Sequence, residues 1–256
     1  MRKMLVITDV THMNRGCVCV AGYDQEGHCV RPVLPPPGIL EEMLCVQKRP
    51  VIFPFAKVEF DLQHPTPDPP HTEDCRYDPK SVRFVGQVSE EEKKSILQAS
   101  LFPSLQGLFD VPICTGPGYY VMEGQGPRSL GTVQPRRVLG TVYEQSEEGT
   151  WKYRLGFVDG EDAAFWLTVT DLTWRYYLDF GRQRGFESGE IAKKLTRALQ
   201  NSEVYLRIGL ARGWEKFPDR CYIQIVGIHT FPDFLKGRTF VDFVSAPSTT
   251  PGDATP

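Results

Sequence analysis

The stretch from Tyr205 to Phe234, YLRIGLARGWEKFPDRCYIQIVGIHTFPDF, reads as two long strands with a polar and aromatic face. Successive strand side chains point to opposite faces, so Leu206, Ile208 and Leu210 form one side, with Tyr205, Arg207, Gly209 and Ala211 opposite. Cys221, Ile223 and Ile225 repeat the apolar side, with Tyr222 and Gln224 opposite. If the strands pair, Tyr205, Arg207, Tyr222 and Gln224 share one surface, chemically suited to flat ligands and phosphate.

Similar short runs recur along the chain, punctuated by 21 prolines and 23 glycines, which favours an all-β architecture with minor helices. The first half predicts strands at 3–9, 17–23, 28–34, 51–62 and 82–88. The turn Asp24-Gln25-Glu26-Gly27 joins the second and third as a hairpin. Pro35 to Pro37 and Pro65 to Pro70 read as surface loops, because proline lacks the donor that a central ladder needs. Ser89 and Glu92 have capping-box spacing and predict a helix over 89–100. After the glycine-rich passage 115–131, strands are expected at 137–143, 152–157, 165–170, 204–211 and 220–230, with one amphipathic helix over 188–200. Five strands and a helix per block predict two consecutive OB-like five-stranded barrels, over 1–128 and 129–240, followed by a disordered tail over 241–256.

The net charge of −3 gives no general attraction to nucleic acid, but residues 174–220 carry a local net charge of +4. No window provides the ~18–20 apolar residues of a bilayer-crossing helix, so a soluble cytoplasmic protein with no membrane partner is expected. Seven cysteines, an odd number in strand-like runs, fit free thiols in a reducing compartment.

Several segments resemble the dual-OB-containing domain family, a group of intracellular prokaryotic proteins of about this length. They are Cys19-Val20-Ala21-Gly22 with Val30-Arg31-Pro32-Val33, then His71-Thr72-Glu73, then Leu167 to Asp171, and the region from Tyr205 to Phe231. The resemblance covers most of residues 1–240 and implies two OB-type barrels with a nucleic-acid role; no catalytic residues come with it. The family pattern commonly places an arginine before the hairpin cysteine, where this chain has Val18.

Candidate binding residues follow from chemistry. Arg31 interrupts an apolar strand and either faces a carboxylate or grips phosphate with its planar fork. Trp174 and Arg175 open the densest aromatic and basic cluster, although about half of such rings are expected in the core. Arg212 and Trp214 sit at an expected loop tip. With Tyr205, Arg207, Tyr222 and Gln224 they make the candidate interface for single-stranded DNA or RNA, in a protein leaning towards a non-catalytic role. A protein-interaction module within a larger complex is the second reading. A metal-dependent hydrolase is the third, using His71, Glu73 and Asp74, with His64 nearby. Cys17, Cys19 and Cys29 could meet on a hairpin face, but lack the knuckle spacing of a zinc site. No Walker loop, dinucleotide fingerprint, nucleophile elbow or HExxH motif is present, and no cofactor is expected.

Overall fold

The computed structural model describes residues 1–244. The first unit contains β1 (Arg2–His12), β2 (Cys17–Tyr23), β3 (Cys29–Val33), β4 (Ala56–Pro65) and β5 (Asp74–Tyr77). β1 pairs antiparallel with both β2 and β4, β3 pairs with β5 in parallel, and β5 returns to β4. These pairings close a five-stranded barrel of the OB type. Leu5 and Ile7 on β1 face its core and so does Val10, an odd-to-even change of phase allowed by a bulge between Ile7 and Asp9. Asp24 holds the β2–β3 turn by accepting from the amides of Glu26 (3.1 Å) and His28 (2.9 Å), while Gly27 takes the left-handed conformation at φ 82°.

β6 (Arg83–Gln87) extends this sheet along β4 and leads to α1 (Glu90–Ala99). The reciprocal Ser89 and Glu92 capping box forms as expected. Hydrogen bonding of the second sheet begins before residue 128. β7 (Tyr119–Met122) pairs with a strand near the end of the chain, and Leu101–Phe102 pairs with β8 (Leu130–Val133).

The second unit repeats the same strand order with β9 (Arg137–Gln145), β10 (Trp151–Val158), β11 (Ala164–Val169), β12 (Glu203–Leu210) and β13 (Arg220–Phe231). β9 to β11 form an antiparallel meander, β11 and β13 run parallel, and β13 pairs with β12. β8 occupies the edge of β12 that would otherwise meet β9. The remaining seam is covered by α3 (Ser188–Gln200), whose Thr196 Oγ1 accepts from the amide of Thr141 at 3.0 Å while Gln200 Nε2 donates to the carbonyl of Val138 at 3.1 Å. Ile191, Leu195 and Leu199 of α3 face the core.

A second helix here, α2 (Leu172–Gln183), was not expected. Its aromatic run has no clean polar face because it is packed from several directions. Leu172 enters the first core, whereas Trp174 stacks on Phe234 at 5.6 Å and donates to the carbonyl of Ile228 at 2.7 Å. At the chain end Phe240–Phe243 forms a 3-10 turn with both phenylalanines buried, so the expected tail does not begin at 241; residues 245–256 lie outside the described residues.

The two units are joined by buried polar contacts. Arg207 Nε and Nη2 donate to the two carboxylate oxygens of Asp9, each at 2.8 Å, and Nη1 donates to Tyr23 Oη and Thr132 Oγ1. Glu73, in the loop before β5, accepts from the amides of Ser129 (2.7 Å) and Leu130 (3.1 Å) and from the Ser129 hydroxyl (2.9 Å). Among the described residues no helix is long and apolar enough to cross a membrane.

Candidate nucleic-acid interface

A cleft of about 780 Å³ opens between the two units. Counting the strands of each unit in order, the second and third are β2 and β3 in the first and β10 and β11 in the second. Cys19 and Ala21 on β2, Arg31 and Val33 on β3, Arg154 on β10 and Trp166 and Thr168 on β11 all line this cleft. Loops complete it: Met13 and Asn14 between β1 and β2, His71 between β4 and β5, and Arg212, Gly213 and Trp214 between β12 and β13. The strand 2–3 face and the loops after strands 1 and 4 are the parts with which OB folds hold oligonucleotides and oligosaccharides.

Four arginines line the cleft, at positions 31, 154, 175 and 212. Of the carboxylates, Asp9 is neutralised by Arg207, and Asp74 is shared by Arg31 (2.5 Å) and Arg212. Arg31 is buried, and its Nη2 has no hydrogen-bond partner, leaving one edge of the fork unused. Arg175 stacks on Tyr153 at 4.2 Å and Nη1 donates to His12 Nδ1 at 3.0 Å. A guanidinium only donates, so Nδ1 must accept and the neutral ring carries its proton on Nε2. Burial, then the Arg175 charge, push His12 below its ordinary titration range. Neither Arg154 nor Arg175 has a salt-bridge partner among the described residues.

Flat apolar surface lies beside these cations. The ring of Trp166 lies across Gly156 on the neighbouring strand, where an added Cβ would come within 2.5 Å of the indole. Glycine there lets the ring lie against the sheet while 39% of the residue stays exposed. At the mouth, Trp214 is 53% exposed and meets Phe217 edge-on. Arg220 bridges Phe217 (4.2 Å) and Tyr120 (4.8 Å), and Tyr120 packs on Tyr222.

Residues 3–228 match the family described as the dual OB-containing domain. The chain belongs to this family. No curated protein matches it. Membership agrees with the two barrel-like units and their repeated strand order, and OB folds commonly bind nucleic acid.

Of the residues read from the sequence, Arg31, Arg175, Arg212, Trp214, Tyr222 and Gln224 come together in the dual-OB cleft. Three do not join them. Tyr205 is 1% exposed, and its hydroxyl donates to Glu203 at 2.6 Å. Arg207 is fully buried against Asp9, and Trp174, in the first turn of α2, is buried against Ile228 and Phe234. The polar side of β12 therefore does not form the expected surface, because the first unit covers it. Trp166 and Arg154 were missed; the alternation Phe165, Leu167, Val169 against Trp166 and Thr168 was the available signal for Trp166.

The His71, Glu73 and Asp74 loop does not build the expected acid-base or metal set, since Glu73 is held by residues 129 and 130 and Asp74 by two arginines. His64 has no part in a ligand cluster among the described residues. Nor do Cys17, Cys19 and Cys29 form one: Cys17 Sγ donates to the carbonyl of Pro37, and Cys29 Sγ lies beside Arg207. His71 is fully buried; burial, then Arg31 and Arg212, push its ring down to about 2, so it is neutral.

Proposed function

We propose that this dual-OB protein binds single-stranded nucleic acid, DNA or RNA, in the cleft between its units. The carrying observation is the convergence of both strand 2–3 faces on one cavity in which four arginines meet exposed indole rings. In this reading Trp166 and Trp214 stack on bases, while Arg154, Arg175 and Arg212 track the phosphates. Arg31, buried against Asp74, adds positive potential to the cleft wall rather than a direct phosphate contact. In this reading the role is recognition. A continuous groove across both units also accounts for the inter-unit clamps, because a strand spanning both faces needs them held at a constant separation.

The test is fluorescence anisotropy with labelled DNA and RNA oligomers at low salt. Binding should occur, weaken with salt through counterion release, and fall in Trp166→Ala and Arg175→Ala. No binding to either polymer, or binding indifferent to both substitutions, overturns the reading. Nuclease-insensitive capture of a protein partner together with that negative result would favour an interaction module.

A further inference from the structure

Outside the contacts used above, three side chains far apart in sequence converge where the units meet. His71 comes from the loop between β4 and β5, Glu123 follows β7, and Cys221 lies near the start of β13. Their ligand atoms all lie within 4.8 Å of one another. We propose that His71, Glu123 and Cys221 form a site for one zinc-class divalent transition metal, which staples the first unit's loop to the second unit.

The orphaned imidazole is the independent observation. His71 is fully buried, and neither ring nitrogen has a hydrogen-bond partner. A buried polar group left without a partner is costly, and a bound ion relieves that deficit. Coordination by one ring nitrogen gives the buried imidazole the partner it lacks. The donor set fits: imidazole, thiolate and carboxylate are the ligand types zinc takes, and three protein ligands leave a fourth position open.

Geometry asks for small adjustments. Tetrahedral zinc at ordinary bond lengths sets its ligand atoms roughly 3.3–3.6 Å apart. Here Cys221 Sγ and Glu123 Oε2 stand at 2.6 Å and every separation stays within 4.8 Å, so that pair opens by about 1 Å on binding and no pair has to close by more than about 1.5 Å. The backbone around the site is fixed without metal: Gly124 donates to the carbonyl of Pro69 at 3.0 Å, and Glu123 to that of Asp219 at 2.9 Å. Glu123 is only partly buried, which gives an entry path. The nearby guanidinium groups of Arg31 and Arg212 are both turned onto Asp74, which tempers their repulsion of a cation.

The full chain, stripped by a chelator, should take up one equivalent of zinc in competition with a fluorescent indicator. Cobalt should give a thiolate charge-transfer band. Glu123→Gln, an isosteric change at a partly buried position, should weaken zinc at least tenfold with folding intact, and Cys221→Ser should abolish the band. Should Cys221→Ser fail to fold, Glu123→Gln alone decides the matter. Uptake well below one equivalent overturns the proposal. So do unchanged affinity in Glu123→Gln and an unchanged cobalt spectrum in a folded Cys221→Ser, results that place the metal on other thiols. Because the readout is metal, its failure is separate from failure of oligonucleotide binding.

Discussion

Arg207→Met tests the idea that the residue is a structural pin between the units. Arg207 makes five hydrogen bonds through its three guanidinium nitrogens, two of them to Asp9, whose side chain is 2% exposed and has no other hydrogen-bond donor among the described residues. Methionine keeps much of the stem but leaves the Asp9 charge buried and unpaired, whereas the Thr132 hydroxyl keeps its bond to Ser100. Breaking one side of a buried ion pair costs about 3–5 kcal/mol. For a chain of this size that lowers the melting temperature by roughly 6–20 °C. Asp9→Leu alone should cost a similar amount. The double variant removes both charges and should recover most of the loss, since an apolar replacement of a whole buried pair is often neutral or stabilising. Urea denaturation of all four proteins at one pH closes the cycle and yields the coupling directly. A loss under about 1 kcal/mol for Arg207→Met, or strictly additive single effects, would falsify the account of Arg207 as a desolvated inter-unit pin.

Further outcomes are expected at other positions. Gly156→Val should push the Trp166 ring off the sheet, changing tryptophan emission and weakening oligonucleotide binding in the direction of Trp166→Ala; intact binding would show that the ring's seat is irrelevant. Trp166→Ala and Trp214→Ala should each cost about 1–3 kcal/mol of binding, read by anisotropy. Removing Arg154, Arg175 or Arg212 singly should reduce the slope of log affinity against log salt by about 0.7 for a single strand, and an unchanged slope would remove that arginine from the phosphate path. Burial raises the Asp171 carboxyl from 3.8 to about 7 against two backbone hydrogen bonds from Trp174 and Ile228. Between those values the folded state holds a proton the unfolded chain has lost, so stability falls as pH rises, by up to about 1.4 kcal/mol per pH unit, and levels off above pH ~7. Asp171→Asn keeps a capping side chain without that titration; denaturation at pH 5, 6 and 7 (about one unit apart, within the window) should show the two proteins diverging, and parallel curves would refute it.

Local rules were legible wherever a single segment contains its own cause. The Cys17–Tyr23 strand, the Ser89 capping box and the Ser188–Gln200 helix match the sequence reading because alternation, cap spacing and helical periodicity lie within a few residues of one another. α2 was not legible: its Leu172, Trp174 and Tyr176 pack against different neighbours, so the apolar positions follow tertiary contacts rather than one helical stripe. The metal-ligand candidates at 71, 123 and 221 leave no spacing motif for the same reason.

The alternation of Tyr205 to Leu210 by itself determined a strand with an apolar core face, since the period of two belongs to the backbone. Which solvent the opposite face would meet belongs to no single strand. Tertiary structure decided it, covering Tyr205 and Arg207 with the first unit and placing Asp9 against the guanidinium. On β13 the same docking left Tyr222 and Gln224 facing the cleft. A charged side chain within a strand records only that a polar partner is needed; the partner's identity, whether carboxylate or phosphate, depends on residues nearly two hundred positions away.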